Sequence, residues 1–299
     1  MRVLPTAVVF DFRETRLSGI GIRIGAPAVR ENWVMTIVSD NSRRAPLERS
    51  QLARQNLFRH TTIFLNSTGT NATATLATLQ EENKFFLITA QHVARLLEKK
   101  GEKWSYQNPA LVVRHLDNPF VRTDLGSEAS YSQDLTLFEL HAEDATEMVR
   151  LGLSFYNLKT PQYSSDEEYG PDYFIIGAPQ SAEFIANSEL NFEIRSAGVN
   201  ILEEVTVDGA QRFVEVEAAK AEYSGMSGGG LWEISYPASG GHRVFLLGVV
   251  VREPQQLQST VDPFSSVGAC TIRCSSRQSI KELVERARSL VLGADEQNS

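Results

Sequence analysis

The sequence predicts a mostly β protein closed by one C-terminal amphipathic helix, and three observations carry that expectation. Short runs rich in Val, Ile, Phe and Thr recur from Thr61 to Val251, separated by Gly, Pro, Asn and Asp. Long helical periodicity is absent through that stretch, which favours a barrel or sandwich over βαβ units. At the end, Ile280, Leu283, Val284, Ala287, Leu290 and Val291 fall at i, i+3, i+4, i+7, i+10 and i+11, one face of a helix.

Taken in order, residues 1–57 read as an N-terminal extension. Ala7–Phe12 and Trp33–Val38 have strand character, Gly19–Gly25 alternates Gly with Ile, and Leu47, Leu52 and Leu57 hint at a helix. The strands expected after it are Thr61–Leu65, Thr73–Leu79, Phe85–Thr89, Ala110–His115, Asp134–Leu140, Tyr173–Ile176, Phe192–Ala197, Arg212–Glu217, Leu231–Ile234 and Val244–Val251. Val93–Lys99 can form a short helix after the third of these. The closing helix is expected over residues 279–292. Ser279 and Glu282 form a Ser-x-x-Glu capping box and Gly293 suits the stop, leaving 293–299 as a tail.

Composition removes several function classes. The chain has 299 residues, 42% of them hydrophobic, too apolar for disorder and long enough for one large domain or two small ones. Lys+Arg number 29 against 37 Asp+Glu, a net charge of −8, which argues against non-specific binding to nucleic acid or a membrane surface. Two cysteines exclude a disulfide framework or a Cys-rich zinc site, and Cys270 and Cys274, four apart on an expected strand, read as core thiols. His60, His115, His141 and His242 are scattered and read as surface or structural residues, so no metal or cofactor is expected. Val3–Phe10, broken by Pro5 and ended by Asp11, is too short for an export signal, and no run is long and apolar enough to span a membrane. A reducing cytoplasm is the expected location, which makes the sequons at Asn66 and Asn71 chance matches.

Three local patterns can carry chemistry. In Phe85-Phe-Leu-Ile-Thr-Ala-Gln-His-Val93, an apolar strand ends beside His92. In Ser132-Gln-Asp-Leu-Thr-Leu-Phe-Glu-Leu140, Asp134 opens another strand, and in Tyr223-Ser-Gly-Met-Ser-Gly-Gly-Gly-Leu-Trp232, Ser227 stands among glycines. Each has a bland counterpart, as a structural His, a turn Asp and a tight turn. Their co-occurrence weighs more. A serine hydroxyl needs a neighbouring base to act as a nucleophile, and histidine titrates near neutrality. A carboxylate on the far ring nitrogen fixes the tautomer, and glycines beside the serine free main-chain N–H groups to meet an oxyanion.

The three segments resemble the His, Asp and Ser motifs of trypsin/chymotrypsin-like serine peptidases: Thr-Ala-x-His, Asp-Leu-x-Leu and Gly-x-Ser-Gly-Gly. Their order is that family's, with separations of 134 − 92 = 42 and 227 − 134 = 93 residues, and Tyr173–Pro179 resembles its bacterial strand ending in Gly-x-Pro. The resemblance implies two six-stranded antiparallel β-barrels and a C-terminal helix within residues 58–292. Barrel one would cover about 58–145, barrel two about 165–275 and the helix 279–292. It implies Ser227 as nucleophile, His92 as general base and then acid, Asp134 as the group orienting His92, and the N–H groups of Gly225 and Ser227 as the oxyanion hole. It further implies a substrate-binding strand at Leu246–Val251, including Val249, Val250 and Val251, and a specificity pocket lined by Ala221, Glu222 and Ser224. The implied partner is a protein or peptide substrate. Apart from the resemblance, the position of residues 1–57 before the barrel and the lack of an export signal lead to the expectation that they regulate access or dock a regulatory partner. Two positions depart from the pattern: Met226 stands where digestive members have an activating Asp, and Gly230 replaces a frequent Pro.

Rival readings are weaker. Gly225-Met-Ser-Gly-Gly229 also satisfies the Gly-x-Ser-x-Gly elbow of α/β-hydrolases, but a strand rather than a helix follows it, and the only later histidine is His242. No Gly-Lys-Ser/Thr follows the glycines, which excludes a P-loop. The remaining alternative is a catalytically silent trypsin-like fold used as a protein-binding or scaffolding module.

Overall fold

The computed structural model describes residues 45–65, 71–98, 105–107, 113–115, 121–125, 134–161, 167–179, 183–186, 189–207, 209–219, 223, 225–256 and 269–297. The expected strands Ala7–Phe12 and Trp33–Val38 lie outside them. The order begins with α1 (Leu47–Phe58), β1 (Thr61–Leu65), β2 (Asn71–Leu79), β3 (Lys84–Ala90), α2 (Gln91–Glu98), β4 (Ser105–Gln107), β5 (Val113–His115), β6 (Val121–Leu125), β7 (Leu135–Leu140), α3 (Ala142–Arg150) and β8 (Tyr156–Asn157). It continues with β9 (Glu167–Gly177), β10 (Glu183–Ala186), β11 (Glu189–Phe192), β12 (Arg195–Val207), β13 (Ala210–Ala219), β14 (Gly230–Pro237), β15 (Arg243–Gln256), β16 (Ala269–Ser276) and α4 (Arg277–Gln297).

The fold is mostly β. The strands after residue 167 close into a six-stranded antiparallel barrel in the order β12-β13-β16-β15-β14-β9, and β12 pairs β9 to complete the ring. β10 and β11 form a separate hairpin. The earlier strands form one eight-stranded sheet in the order β5-β4-β1-β2-β3-β7-β6, with β8 running parallel to β2. Of the two barrels that the resemblance implies, the second is a closed ring and the first is an open sheet among the described residues.

Period-two burial explains how the layers meet. The lumen of the closed barrel takes Ile175, Val214, Val216, Leu231, Val250, Cys270, Ile272 and Cys274. The outward face of the same strands puts Ile176, Trp232, Ile234, Leu246 and Val249 into a second core with Ala77, Phe86, Ile88, Ala90 and Leu137 of the first sheet. Leu87 points the other way, into a third cluster with Leu76, Phe138 and Met148. β3 is therefore buried on both faces, which is why its sequence is an unbroken apolar run. Cys270 and Cys274 are buried free thiols, as read from the sequence, and burial holds the Cys274 thiol far above its usual range.

The helices close this framework. Ile280, Leu283, Val284 and Ala287 of α4 are all buried in the shared core, the face that the periodicity predicts. The capping differs. The helix begins a little earlier, with Ser276 Oγ accepting the Ser279 N–H at 3.2 Å, while Ser279 Oγ donates to Arg212 O at 3.0 Å and Glu282 pairs with Arg212. Ser276 is the cap because its hydroxyl also reaches Gln211 O, at 2.7 Å, which anchors the helix start to β13. Gly293 does not stop the helix, which runs to Gln297 through Ala, Asp, Glu and Gln, all compatible with helix. In α1, Leu47 and Leu52 are 57% and 55% exposed, and the buried pair is Ala53 and Leu57, because the Leu spacing of five does not stay on one helical face. Arg49 ties α1 to the β14–β15 turn by donating to Gly241 O at 2.6 Å and to Glu168 Oε2 at 3.0 Å. α3, with Ala145 and Met148 buried, has no counterpart among the expected elements.

His60 is structural. Its Nδ1 donates to Ser154 O at 2.9 Å, so the neutral ring carries its hydrogen there. The ring stacks on Trp232 at 5.4 Å and 29°, and meets Tyr156 edge-on at 6.0 Å. Burial lowers its pKa below the usual 6.5, with Arg59 adding to the effect and the Ser154 bond opposing it. A lowered folded-state pKa means the unfolded chain binds the proton more readily. The stabilisation is thus complete above the unfolded value and lost as pH falls towards the folded one. Urea-unfolding midpoints measured from pH 8 to pH 5 are expected to fall below about pH 6.5, and less steeply in His60→Gln than in the wild type.

Candidate active site

β3 passes into α2 without an intervening loop, so His92 is the second residue of the helix. β7 lies beside β3 with Ala90 opposite Leu135, and Asp134 immediately precedes β7. That register brings two residues 42 apart in sequence into contact. Gln91 N donates to Asp134 O at 2.8 Å, extending the ladder past the strand ends. Asp134 has φ 45°, a left-handed conformation that Asp tolerates better than most non-glycine residues. Its carboxylate grips His92 at two points: Oδ1 accepts the main-chain N–H at 2.9 Å, and Oδ2 lies 2.5 Å from Nδ1. An ionised carboxylate only accepts, so Nδ1 carries the hydrogen and the lone pair is left on Nε2. The His92 side chain is 44% exposed against 25% for Asp134, which leaves the imidazole reachable while its partner is sheltered.

Ser227 lies in the turn between Tyr223 and β14. Met226 N donates to Tyr223 O at 3.0 Å and Gly229 N to Met226 O at 2.8 Å, which coils the loop. Gly228 N to Val250 O at 2.7 Å and Val250 N to Gly229 O at 2.8 Å fasten it to β15. Gly225 and Gly228 have φ 90° and 93°, conformations that favour glycine. At Gly228 a side chain is also excluded by space, since a Cβ would overlap Thr73 O and Thr89 Oγ1.

Three threonines of the first sheet hold this loop. Thr73 Oγ1 donates to Gly225 O at 3.0 Å, Thr75 Oγ1 donates to Gly228 O at 3.0 Å, and Thr89 Oγ1 donates to Thr73 O at 2.8 Å. All three are fully buried. Thr89 is three residues before His92, so the Ser227 loop packs against the strand that delivers the histidine. Thr73 and Thr75 were not singled out by the sequence, where they read as ordinary β-branched strand residues. Ser227 is buried, and no hydrogen bond joins it to His92 among the described residues. Nor does any described hydrogen bond use the N–H of Gly225 or of Ser227.

The departures from the family pattern have physical counterparts. Met226 is buried in the barrel lumen with Ile175, Tyr223 and Cys270, an apolar anchor for the loop. A Cβ at Gly177 would come within 3.2 Å of its Cα, so the Gly-x-Pro strand end is shaped to the loop. A Cβ at Gly230 would overlap the Trp232 indole, so a larger residue there would displace the largest buried side chain. Val249 lies opposite Gly230 on β14 and Ser275 on β16, while Val250 is bonded to the Ser227 loop and lies opposite Cys274. Val250 and Val251 both lie beyond Val249, the last residue paired with β14, and Val251 falls at the irregularity between the β16 pairs of Val250 and Arg252. Ala221, Glu222 and Ser224 lie outside the described residues. Among the described residues, no three His, Cys, Asp or Glu side chains gather as a metal site, and no helix is long and apolar enough to cross a membrane.

No known sequence family matches the chain. No curated protein matches it either. Among solved structures, the chain is similar to trypsin-like serine proteases of the HtrA and Deg types. An inactive-form serine-to-alanine mutant of Rv3671c from M. tuberculosis H37Rv is 11% identical with a TM-score of 0.41, over 81% of this chain and 94% of that one. Deg5 is 14% identical with a TM-score of 0.38, over 75% of this chain and 88% of that one. The HtrA-type protease AlgW with tripeptide is 13% identical with a TM-score of 0.39, over 80% of this chain and 62% of that one.

The packing at Gly228 gives a direct expectation. Gly228→Ala combines a strained backbone with a clash against main chain that cannot yield, and is expected to cost roughly 3 kcal/mol in urea unfolding.

Proposed function

We propose that the chain is a serine endopeptidase acting through His92, Asp134 and Ser227. The observation that carries this reading is the two-point grip of Asp134 on His92. It fixes the ring's tautomer and leaves the Nε2 lone pair uncommitted on a partly exposed imidazole. The mechanism follows the general triad template. Nε2 takes the proton from Ser227 Oγ as the oxygen attacks the scissile carbonyl carbon. The carbonyl oxygen becomes the oxyanion, met by the N–H groups of Gly225 and Ser227. Protonated His92, stabilised by Asp134, then gives its proton to the leaving amine as the C–N bond breaks, and an acyl-enzyme forms. Water repeats the sequence in reverse roles, releasing the acid and restoring the serine. Closing the gap between Nε2 and Oγ is a step of substrate binding, since such hydrogen bonds tighten in the complex.

The substrate main chain pairs from Val251 onward, because Val249 and Val250 are already bonded or paired on both sides. Ala221, Glu222 and Ser224 line the specificity pocket in this reading. Met226 in place of an activating carboxylate means that no newly cut N-terminus is needed to set the loop. The peptidase unit begins at Ala45 rather than at residue 58, because α1 contributes Ala53 and Leu57 to its core. Residues before it remain the proposed docking segment for a regulatory partner. The second reading, a silent binding module, is favoured by one observation, the absence of a described Ser227–His92 hydrogen bond.

A fluorophosphonate probe separates the two. Wild type is expected to be labelled, and Ser227→Ala not at all. His92→Ala and Asp134→Asn are expected to slow labelling by about 10⁴-fold. Absence of label on well-folded wild type would sink the peptidase reading.

A further inference from the structure

We propose that Thr73 is a positioning residue for the oxyanion hole, holding the Gly225–Met226 peptide so that the flanking N–H groups of Gly225 and Ser227 face the reacting oxygen. This rests on the peptidase reading above and adds a residue that the triad motifs do not contain.

The hydrogen-bond polarity at Thr73 is fixed by its partners. Its Oγ1 lies 2.9 Å from Ala178 N and 3.0 Å from Gly225 O. The Ala178 N–H can only donate, so the hydroxyl oxygen accepts there and its single hydrogen is committed to Gly225 O. The side chain is fully buried and β-branched, so its rotamer is stiff and water cannot substitute for either bond. Thr73 is itself held, since its carbonyl accepts from Thr89 Oγ1 at 2.8 Å and it lies opposite Ile63 on β1.

The peptide it holds is the sensitive one. The Gly225–Met226 unit lies between the two N–H groups proposed as the hole, and its rotation would turn both of its neighbours. Glycine at 225, with φ 90°, leaves that rotation open to many conformations. The unit is pinned at each end: its N–H, on Met226, donates to Tyr223 O at 3.0 Å, and its C=O accepts from Thr73. Among the described residues, Thr73 supplies the only side-chain hydrogen bond to Gly225 O. Ala178 enters the same arrangement from just past the end of β9, so one hydroxyl joins the first sheet, the closed barrel and the nucleophile loop.

Thr73→Val keeps the shape and removes the hydrogen bond, and Thr73→Ser restores the hydroxyl. The readouts are the fluorophosphonate labelling rate, because the phosphoryl oxygen occupies the hole, and kcat and KM on p-nitrophenyl acetate. Val is expected to lower labelling and kcat about 10-fold, with KM within about twofold. Ser is expected to recover to within about threefold of wild type. Should Val not fold, Thr73→Cys fills the same space with a weak donor, and a loss of several-fold is expected there instead. Wild-type rates in Thr73→Val, or in Thr73→Cys where Val does not fold, a rise in KM accounting for the loss, or no recovery with Ser would overturn the role of Thr73. Wild type that does not label falls together with the peptidase reading, whereas labelled wild type with unaffected variants removes the Thr73 role alone.

Discussion

A close approach between the Ser227 loop and the first sheet underlies much of the rest of the structure. Gly228 lies against the carbonyl of Thr73 with no room for a methyl group between them. Through that contact the loop carrying Ser227 reaches the strands of the first sheet, where the hydroxyls of Thr73 and Thr75 bond across the seam and that of Thr89 steadies Thr73 from within the sheet. Were the two layers an ångström further apart, two buried hydroxyls and the loop carbonyls they serve would lose partners together. Each unsatisfied group would then carry its own desolvation cost. The apolar core beside the seam, with Trp232, Ile88 and Val249, supplies much of the cohesion. The threonines supply the register.

The same seam explains why the two halves of the site are held so differently. His92 and Asp134 are fixed within one sheet, by strand register and a carboxylate that binds main chain and ring together. Ser227 is fixed across two layers, by a loop whose glycines give it freedom and whose restraints come from elsewhere. His92 is thus set by the geometry of a single layer, whereas the surroundings of Ser227 depend on the packing between layers.

Much of this was legible in the sequence, and the gaps have physical causes. β3 could be read because both of its faces are buried, and α4 because four of its apolar positions lie in one core. The start of α4 lies two residues before the expected one because Ser276 and Ser279 both offer cap chemistry, and only the position of β13 decides between them. α3 was hidden because nine residues with two buried positions give little periodicity. The His92 and Asp134 motifs announced themselves through the apolar strands that present them. The threonine seam did not, since Thr73 and Thr75 find their acceptors 152 and 153 residues away, beyond any local pattern. β-branching explains those residues well enough in a strand, so nothing in the chain around them asks for a second explanation.

The buried thiols have a consequence for how this protein can be followed in solution. Cys270 and Cys274 point into the lumen of a ring with no open edge, where both are buried, and burial keeps the Cys274 thiol neutral and a poor nucleophile. A maleimide therefore meets them only when the ring itself parts. The rate of thiol capture is then a direct measure of how often the closed barrel breathes, read from two atoms the chain already carries and without any added label.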